Sequence, residues 1–213
     1  MISIKSFAFN ALQENTYVLW DETNECVIID PGCYDKEEKE QLKYFIDNTG
    51  LKPVKLLNTH CHIDHVLGNA FIQNTYGLKV ETSQIEEFQL RSVKLYAPMY
   101  GFNLFEETEV GAYIEEGDIV NFGNSSLEIL SVPGHSPGHI AFLNKEQNFC
   151  IAGDVLFRGS IGRTDLPGGD FKQLEKSIKI KLYTLPDAMQ IYPGHGPKTE
   201  IGFEKRNNPY VKA

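Results

Sequence analysis

Apolar and polar positions alternate from Ile2 to Asn10, and two uninterrupted apolar runs follow, Tyr17-Val18-Leu19-Trp20 and Cys26-Val27-Ile28-Ile29. Alternation with a period of two predicts a half-buried strand, and short continuous runs predict strands buried on both faces. Asp21-Glu22-Thr23-Asn24, between the two runs, supplies a hairpin turn. From Asp35 to Asn48 the period lengthens: Leu42, Phe45 and Ile46 share one face of a predicted helix, and Gly50 is its stop. Val54 to Asn58 predicts a buried strand, Asn69 to Tyr76 a helix, and Val80 lies in a short strand.

Residues 84–116 break this rhythm. A helical segment from Gln84 to Leu95 leads into the aromatic-rich stretch Tyr96 to Phe105 and then into acidic residues. Such a stretch serves as a lid, a substrate wall, a homodimer surface or simply core. Strands resume after Asp118: Ile119 to Phe122, Leu127 to Val132, Ile140 to Leu143 and Phe149 to Ala152. Asp170 to Tyr183 reads as an amphipathic helix, Met189 to Tyr192 as a last strand, and the tail from Thr199 as a short helix. Strands fill both halves, with a helical group in each. That order predicts two packed sheets with helices outside, in a single domain over 1–213, and not a doubly wound parallel sheet.

Composition narrows the partners. The formal net charge of -9 comes with no basic stripe, which argues against nucleic acid. The N-terminus lacks the basic start and apolar run of a signal peptide, and no run approaches the ~20 apolar residues of a membrane span. A cytoplasmic protein without a membrane partner is expected. Cys26, Cys33, Cys61 and Cys150 show no CxxC spacing and read as free thiols.

The candidate chemistry is concentrated in histidine. Of 6 histidines, three fall in Thr59-His60-Cys61-His62-Ile63-Asp64-His65; His135 and His139 fall in Pro133-Gly134-His135-Ser136-Pro137-Gly138-His139; and His195 falls in Pro193-Gly194-His195-Gly196. Each group follows a predicted strand. Imidazole and carboxylate are the donors that zinc and similar cations prefer. The ligand assignment is His60, His62 and His135 for a first metal and Asp64, His65 and His195 for a second. Asp154 at a strand end bridges the two, since paired metals about 3.5–4 Å apart need such a bridge. Cys61 points away from its ligand neighbours on an extended or turning segment. Glycines beside His135, Asp154 and His195 let the backbone turn close to the ions. Zinc is expected, with iron or manganese as alternatives.

The order His-x-His-x-Asp-His, then His, Asp and His resembles the metallo-β-lactamase superfamily over nearly the whole chain. The resemblance implies an αββα sandwich, two mixed sheets with helices on the outer faces. Aspartate at 154, where a cysteine would mark a true β-lactamase, and histidine at 62, where a glutamate would mark a flavodiiron oxygen reductase, both separate this chain from those branches. Gly153 to Asp170, Met99-Tyr100-Gly101-Phe102 and Asn208-Pro209-Tyr210 are similar to the short bacterial glyoxalase II-like hydrolases. That similarity implies hydrolysis of a small-molecule thioester such as S-lactoylglutathione by a hydroxide held between the two metals. Asp64 would orient it or accept its proton.

Around the ligands, Asp30 is a partner for a ligand histidine or a turn-forming residue, and His139 is expected to support the ligands without joining them. Arg163 stands where the family carries a lysine. It is either a clamp for a substrate carboxylate or a partner of Asp165 or Asp170. The rival enzyme is a persulfide dioxygenase using one iron on residues matching His60, His135 and Asp154, a reading that Gly162-Arg163-Thr164-Asp165 also fits.

Overall fold

The computed structural model describes residues 1–213. The first sheet holds β1 (Ser3–Phe9), β2 (Glu14–Trp20), β3 (Glu25–Ile29), β4 (Lys52–Leu57), β5 (Val80–Thr82) and β6 (Val110–Tyr113), in that spatial order. β1, β2 and β3 are antiparallel, and β3 to β6 run parallel. The parallel crossovers carry α1 (Lys36–Thr49), α2 (Ile63–Val66), α3 (Asn69–Tyr76) and α4 (Glu87–Tyr96).

The second sheet begins with β7 (Ile119–Phe122), β8 (Ser125–Ser131), β9 (Ile140–Asn144) and β10 (Phe149–Gly153), a run of antiparallel neighbours. A small hairpin, β11 (Leu156–Phe157) with β12 (Ser160–Ile161), and α5 (Phe171–Ser177) come next. β13 (Gln190–Pro193) then pairs parallel to β10, β14 (Thr199–Glu200) pairs antiparallel to β13, and α6 (Ile201–Asn207) closes the chain. Both sheets are therefore mixed, and the helices lie on their outer faces.

The apolar runs explain this layering. In β3, Val27 and Ile29 point into the apolar layer between the sheets, while Cys26 and Ile28 point into the layer under α1, α3 and α4. β10 does the same in the other half: Phe149 and Ile151 face the inter-sheet layer, and Cys150 and Ala152 face the layer beneath α5 and α6. Strands buried on both faces must be apolar at every position, which is why they read as runs. α1 starts where the Asp35 side chain accepts a hydrogen bond from the Glu38 amide and ends at Gly50, whose φ is 70°.

The sequence pattern falls short at a few places. β6 is largely exposed, with no apolar alternation to reveal it, and it forms because it extends the parallel ladder beside β5. The helix expected over Asp170 to Tyr183 changes at Ile178 into one wide π turn, closed by the Tyr183 amide donating to the Ile178 carbonyl at 2.8 Å. The tail helix is preceded by β14, which Thr199 and Glu200 form against β13. Core packing accounts for part of the 84–116 stretch. Leu90, Val93, Ala97 and Phe102 are core, whereas Phe88, Leu95, Met99, Tyr100 and Leu104 are exposed. All four cysteines are free and buried. No helix is long and apolar enough to cross a membrane.

Candidate metal centre

Five strands end at one edge of the sandwich, and each delivers part of the site. β3 ends at Ile29 and leads to Asp30; β4 ends at Leu57 and leads to His60, His62 and then α2 with Asp64 and His65. β8, β10 and β13 lead to His135, Asp154 and His195. The two sheets are tied together at this edge: the Asn15 amide donates to the Gly194 carbonyl at 2.7 Å, and the Tyr17 hydroxyl donates to the Pro193 carbonyl at 2.6 Å.

His60, His62 and His135 form one cluster, with ring nitrogens all within 4.8 Å of one another. Their outer hydrogen bonds settle which nitrogen faces inward. The Thr59 hydroxyl donates to Asp30 Oδ2 at 2.6 Å, so it accepts from His60 Nδ1 at 3.0 Å. His135 Nδ1 donates to the Arg163 carbonyl at 2.8 Å. That leaves the unprotonated Nε2 atoms of His60 and His135 facing each other at 3.2 Å. Two lone pairs converging in a buried site repel unless a cation lies between them. His62 presents Nδ1, 2.8 Å from His135 Nε2, and its Nε2 is buried without a partner. Burial, then the neighbouring imidazoles, disfavours charge on two of these rings: His60 is pushed well below the usual histidine range and His62 down to about 3.

Asp64, His65 and His195 form the second cluster. His65 Nδ1 donates to Asp30 Oδ2 at 3.1 Å, and His195 Nδ1 donates to the Leu12 carbonyl at 3.1 Å. Their Nε2 atoms therefore face inward, His195 at 3.1 Å and His65 at 3.7 Å from Asp64 Oδ2. Here the electrostatics are opposite. Burial disfavours charge on both rings, but Asp154 and Asp64 outweigh it, raising His65 well above its ordinary range and His195 to about 10.

Asp154 stands between the clusters. Its Oδ2 is 3.5 Å from His135 Nε2 and 3.5 Å from His195 Nε2, and its Oδ1 is 3.5 Å from His65 Nε2. Asp154 Oδ1 and His65 Nε2 are buried and have no hydrogen-bond partner. Buried polar atoms are ordinarily satisfied. Unpaired donors on both sides of one carboxylate are the signature of a binuclear metal-binding site, and these residues fit two divalent cations. Gly194 makes the approach feasible, because a Cβ there would lie 2.1 Å from Asp154 Oδ1 and 2.7 Å from His65 Cε1. Gly153 has φ 50°, and a Cβ there would meet the Thr59 hydroxyl oxygen at 2.5 Å.

Asp30, His139 and Arg163, expected around the candidate ligands, each have a distinct place in the structure. Asp30 contacts Thr59 and His65 from behind the rings. The His139 ring stacks on His60 with centroids 4.6 Å apart, and its Nε2 accepts from the Asp154 amide at 3.1 Å, which keeps it out of both clusters. Arg163 places its carbonyl on His135, while its exposed guanidinium forms a two-bond pair with Asp165, each bond 2.7 Å. Burial, then the Asp64 carboxylate, raises the Tyr96 phenol, and the Tyr96 and Tyr100 rings meet edge to face at 5.9 Å.

Sequence reasoning missed Glu14 and Glu86. Glu14 is fully buried, accepts from the Thr16 hydroxyl at 2.9 Å and lies 3.9 Å from His65 Nδ1. Glu86, also fully buried, accepts from the Cys61 amide, the Ser136 hydroxyl and the Gly138 amide. Glu14 opens a strand and Glu86 precedes a helix, so both read as ordinary solvent-facing acids.

The metallo-beta-lactamase superfamily model matches residues 9–195. The hydroxyacylglutathione hydrolase GloC of Haemophilus influenzae is 36% identical, covering 100% of this chain and 99% of that protein. Among solved structures, TTHA1623 in a di-iron-bound form is 38% identical with a TM-score of 0.86, covering 97% of this chain and 100% of that one. The BLEG-1 B3 metallo-beta-lactamase is 30% identical with a TM-score of 0.86, covering 99% of this chain and 100% of that one.

Proposed function

The chain belongs to the metallo-β-lactamase superfamily, and from that premise we propose that it is a single-domain metal-dependent hydrolase that cleaves a small thioester of the S-lactoylglutathione type. The observation that carries the reading is the Asp154 carboxylate, set between two separate clusters of inward-facing nitrogens. His60, His62 and His135 would hold one cation and Asp64, His65 and His195 the other, with Asp154 touching both. Zinc is the proposed metal, and the same donors accept iron or manganese.

Two such cations supply Lewis-acid polarisation of a carbonyl oxygen and lower the pKa of an attacking water. The chain's own residues do the rest. Asp64 has one oxygen 3.1 Å from His195 Nε2, and it aligns the water and takes up its proton as the carbonyl carbon is attacked. Asp154 fixes the separation of the clusters. Thiolate is a good leaving group, so no strong acid is needed on that side of the substrate. Tyr96 and Tyr100 wall the entrance, and Arg163 grips a substrate carboxylate by exchanging Asp165 for it. The similarity to GloC supports glutathione as the carrier thiol.

Metal analysis paired with thiol release from S-lactoylglutathione tests the proposal. Near two metals per chain with chelator-sensitive release is the expected result. Two metals without release removes the substrate and keeps the hydrolase. One iron per chain with oxygen uptake on glutathione persulfide overturns the reading in favour of a dioxygenase.

A further inference from the structure

Glu86 is the one fully buried acid that touches both loops carrying the three-histidine cluster. It ends a turn of 3-10 helix, Gln84–Glu86, just before α4. Its two carboxylate oxygens are divided between the loops. Oε2 accepts from the Cys61 amide at 2.8 Å, and Cys61 lies between His60 and His62. Oε1 accepts from the Ser136 hydroxyl at 2.5 Å and from the Gly138 amide at 2.8 Å, in the loop that begins with His135. No comparable contact runs from Glu86 to Asp64, His65 or His195.

We propose that Glu86 is a positioning residue for the first metal, setting the distance between the His60–His62 loop and the His135 loop. The inference rests on the two-cluster assignment above. Both Glu86 oxygens act as acceptors, one for a donor on the His60–His62 loop and the other for two donors on the His135 loop. The carboxylate thus works as a rigid staple between two loops that have no ladder of their own. The second cluster is held from elsewhere, by Asp30 and the Leu12 carbonyl, so loss of the staple acts on one site only. Glutamine is the informative replacement. It keeps one acceptor oxygen but turns an NH2 donor toward the N–H or O–H donors of the other loop.

The test measures zinc affinity by chelator competition, without substrate, in two backgrounds. His195→Ala disables the second cluster and reports the first; His62→Ala disables the first and reports the second. Glu86→Gln is expected to lower first-site affinity about ten- to a hundredfold and to leave second-site affinity unchanged. Glu204→Gln is the control for mere structural loss. Glu204 is equally buried and accepts from the Thr199 hydroxyl, the Asn208 side chain and the Gly159 amide, with no hydrogen bond to a residue of either cluster, so its loss should leave both affinities unchanged. Should Glu86→Gln fail to fold, Ser136→Ala removes a single bond and should give a smaller fall at the first site alone. Equal falls at both sites, or no fall at the first, overturn the proposal. Because no substrate is used, failure of the thioester reading would leave this result standing.

Discussion

Asp30 accepts a hydrogen bond from Nδ1 of His65 at 3.1 Å, and this contact turns the opposite nitrogen of the ring toward Asp154 and Asp64. The same carboxylate oxygen accepts from the Thr59 hydroxyl, which in turn holds His60. One acid thus orients a ring in each cluster. Asp30→Asn is expected to weaken both metals about ten- to a hundredfold, unlike the one-sided effect expected at Glu86. Asparagine tolerates the left-handed backbone here, where φ is 49°. Chelator competition measures it, and an unchanged affinity at either site would show that Asp30 does not orient that ring.

Gly194 makes a sharper prediction about the bridge. A methyl group at this position would lie 2.1 Å from Asp154 Oδ1, so Gly194→Ala must displace the carboxylate or the β13 loop. Displacement near 1 Å costs on the order of a hundredfold in rate. Thiol release should fall by about that factor while the circular dichroism spectrum is retained. Wild-type turnover in this variant would mean that Asp154 can move without consequence.

Much of this was legible in the sequence for a simple reason. Strands buried on both faces leave unbroken apolar runs, as in β3 and β10, and the candidate ligands on the strand ends follow each run in order. His60, His62, His65, His135, Asp154 and His195 were visible because their type and spacing are rare together. Glu86 and Glu14 were not, since a buried acid and an exposed one look alike until their donors, here backbone amides and hydroxyls from distant loops, are known. β6 escaped for a related reason: its place comes from the ladder with β5 and not from its own side chains.

Arg163 joins the site by its backbone, and its side chain pairs with Asp165 outside both clusters. The carbonyl holds His135, while the guanidinium is exposed beside Asp165. Arg163→Ala should therefore keep full metal content. If the guanidinium binds substrate equally in the ground and transition states, KM rises about tenfold with kcat unchanged. Steady-state kinetics with S-lactoylglutathione decide the matter, and an unaltered KM would assign the residue to the Asp165 pair alone.

The buried thiols respond to solvent in a predictable way. Burial pushes Cys26 and Cys150 up to about 12, so neither forms thiolate at neutral pH. Iodoacetamide at pH 8 should leave both unmodified in the folded protein and label both in denaturant. Mass spectrometry showing rapid native labelling would mean that the apolar layers open readily.

Asp21 carries the clearest dependence of stability on pH away from the candidate metal centre. It lies at the turn between β2 and β3 and accepts from the Thr23 amide at 2.9 Å and hydroxyl at 2.6 Å. From the turn between β7 and β8 it accepts the Asn124 amide at 2.7 Å and the Ser125 hydroxyl at 2.9 Å. Burial opposes its charge, but these donors outweigh burial and hold its pKa at about 2. A carboxylate depressed in the folded state stabilises fully above its unfolded value, near 3.9, and loses that contribution as pH falls through about 2. Asp21→Asn should be less stable than the wild type at pH 7 by about 1–3 kcal/mol, and the difference should shrink as the pH drops from 4 to 2. Urea melts across that range measure it. A constant gap would place the cost of the substitution in packing between the two turns and not in the charge of Asp21.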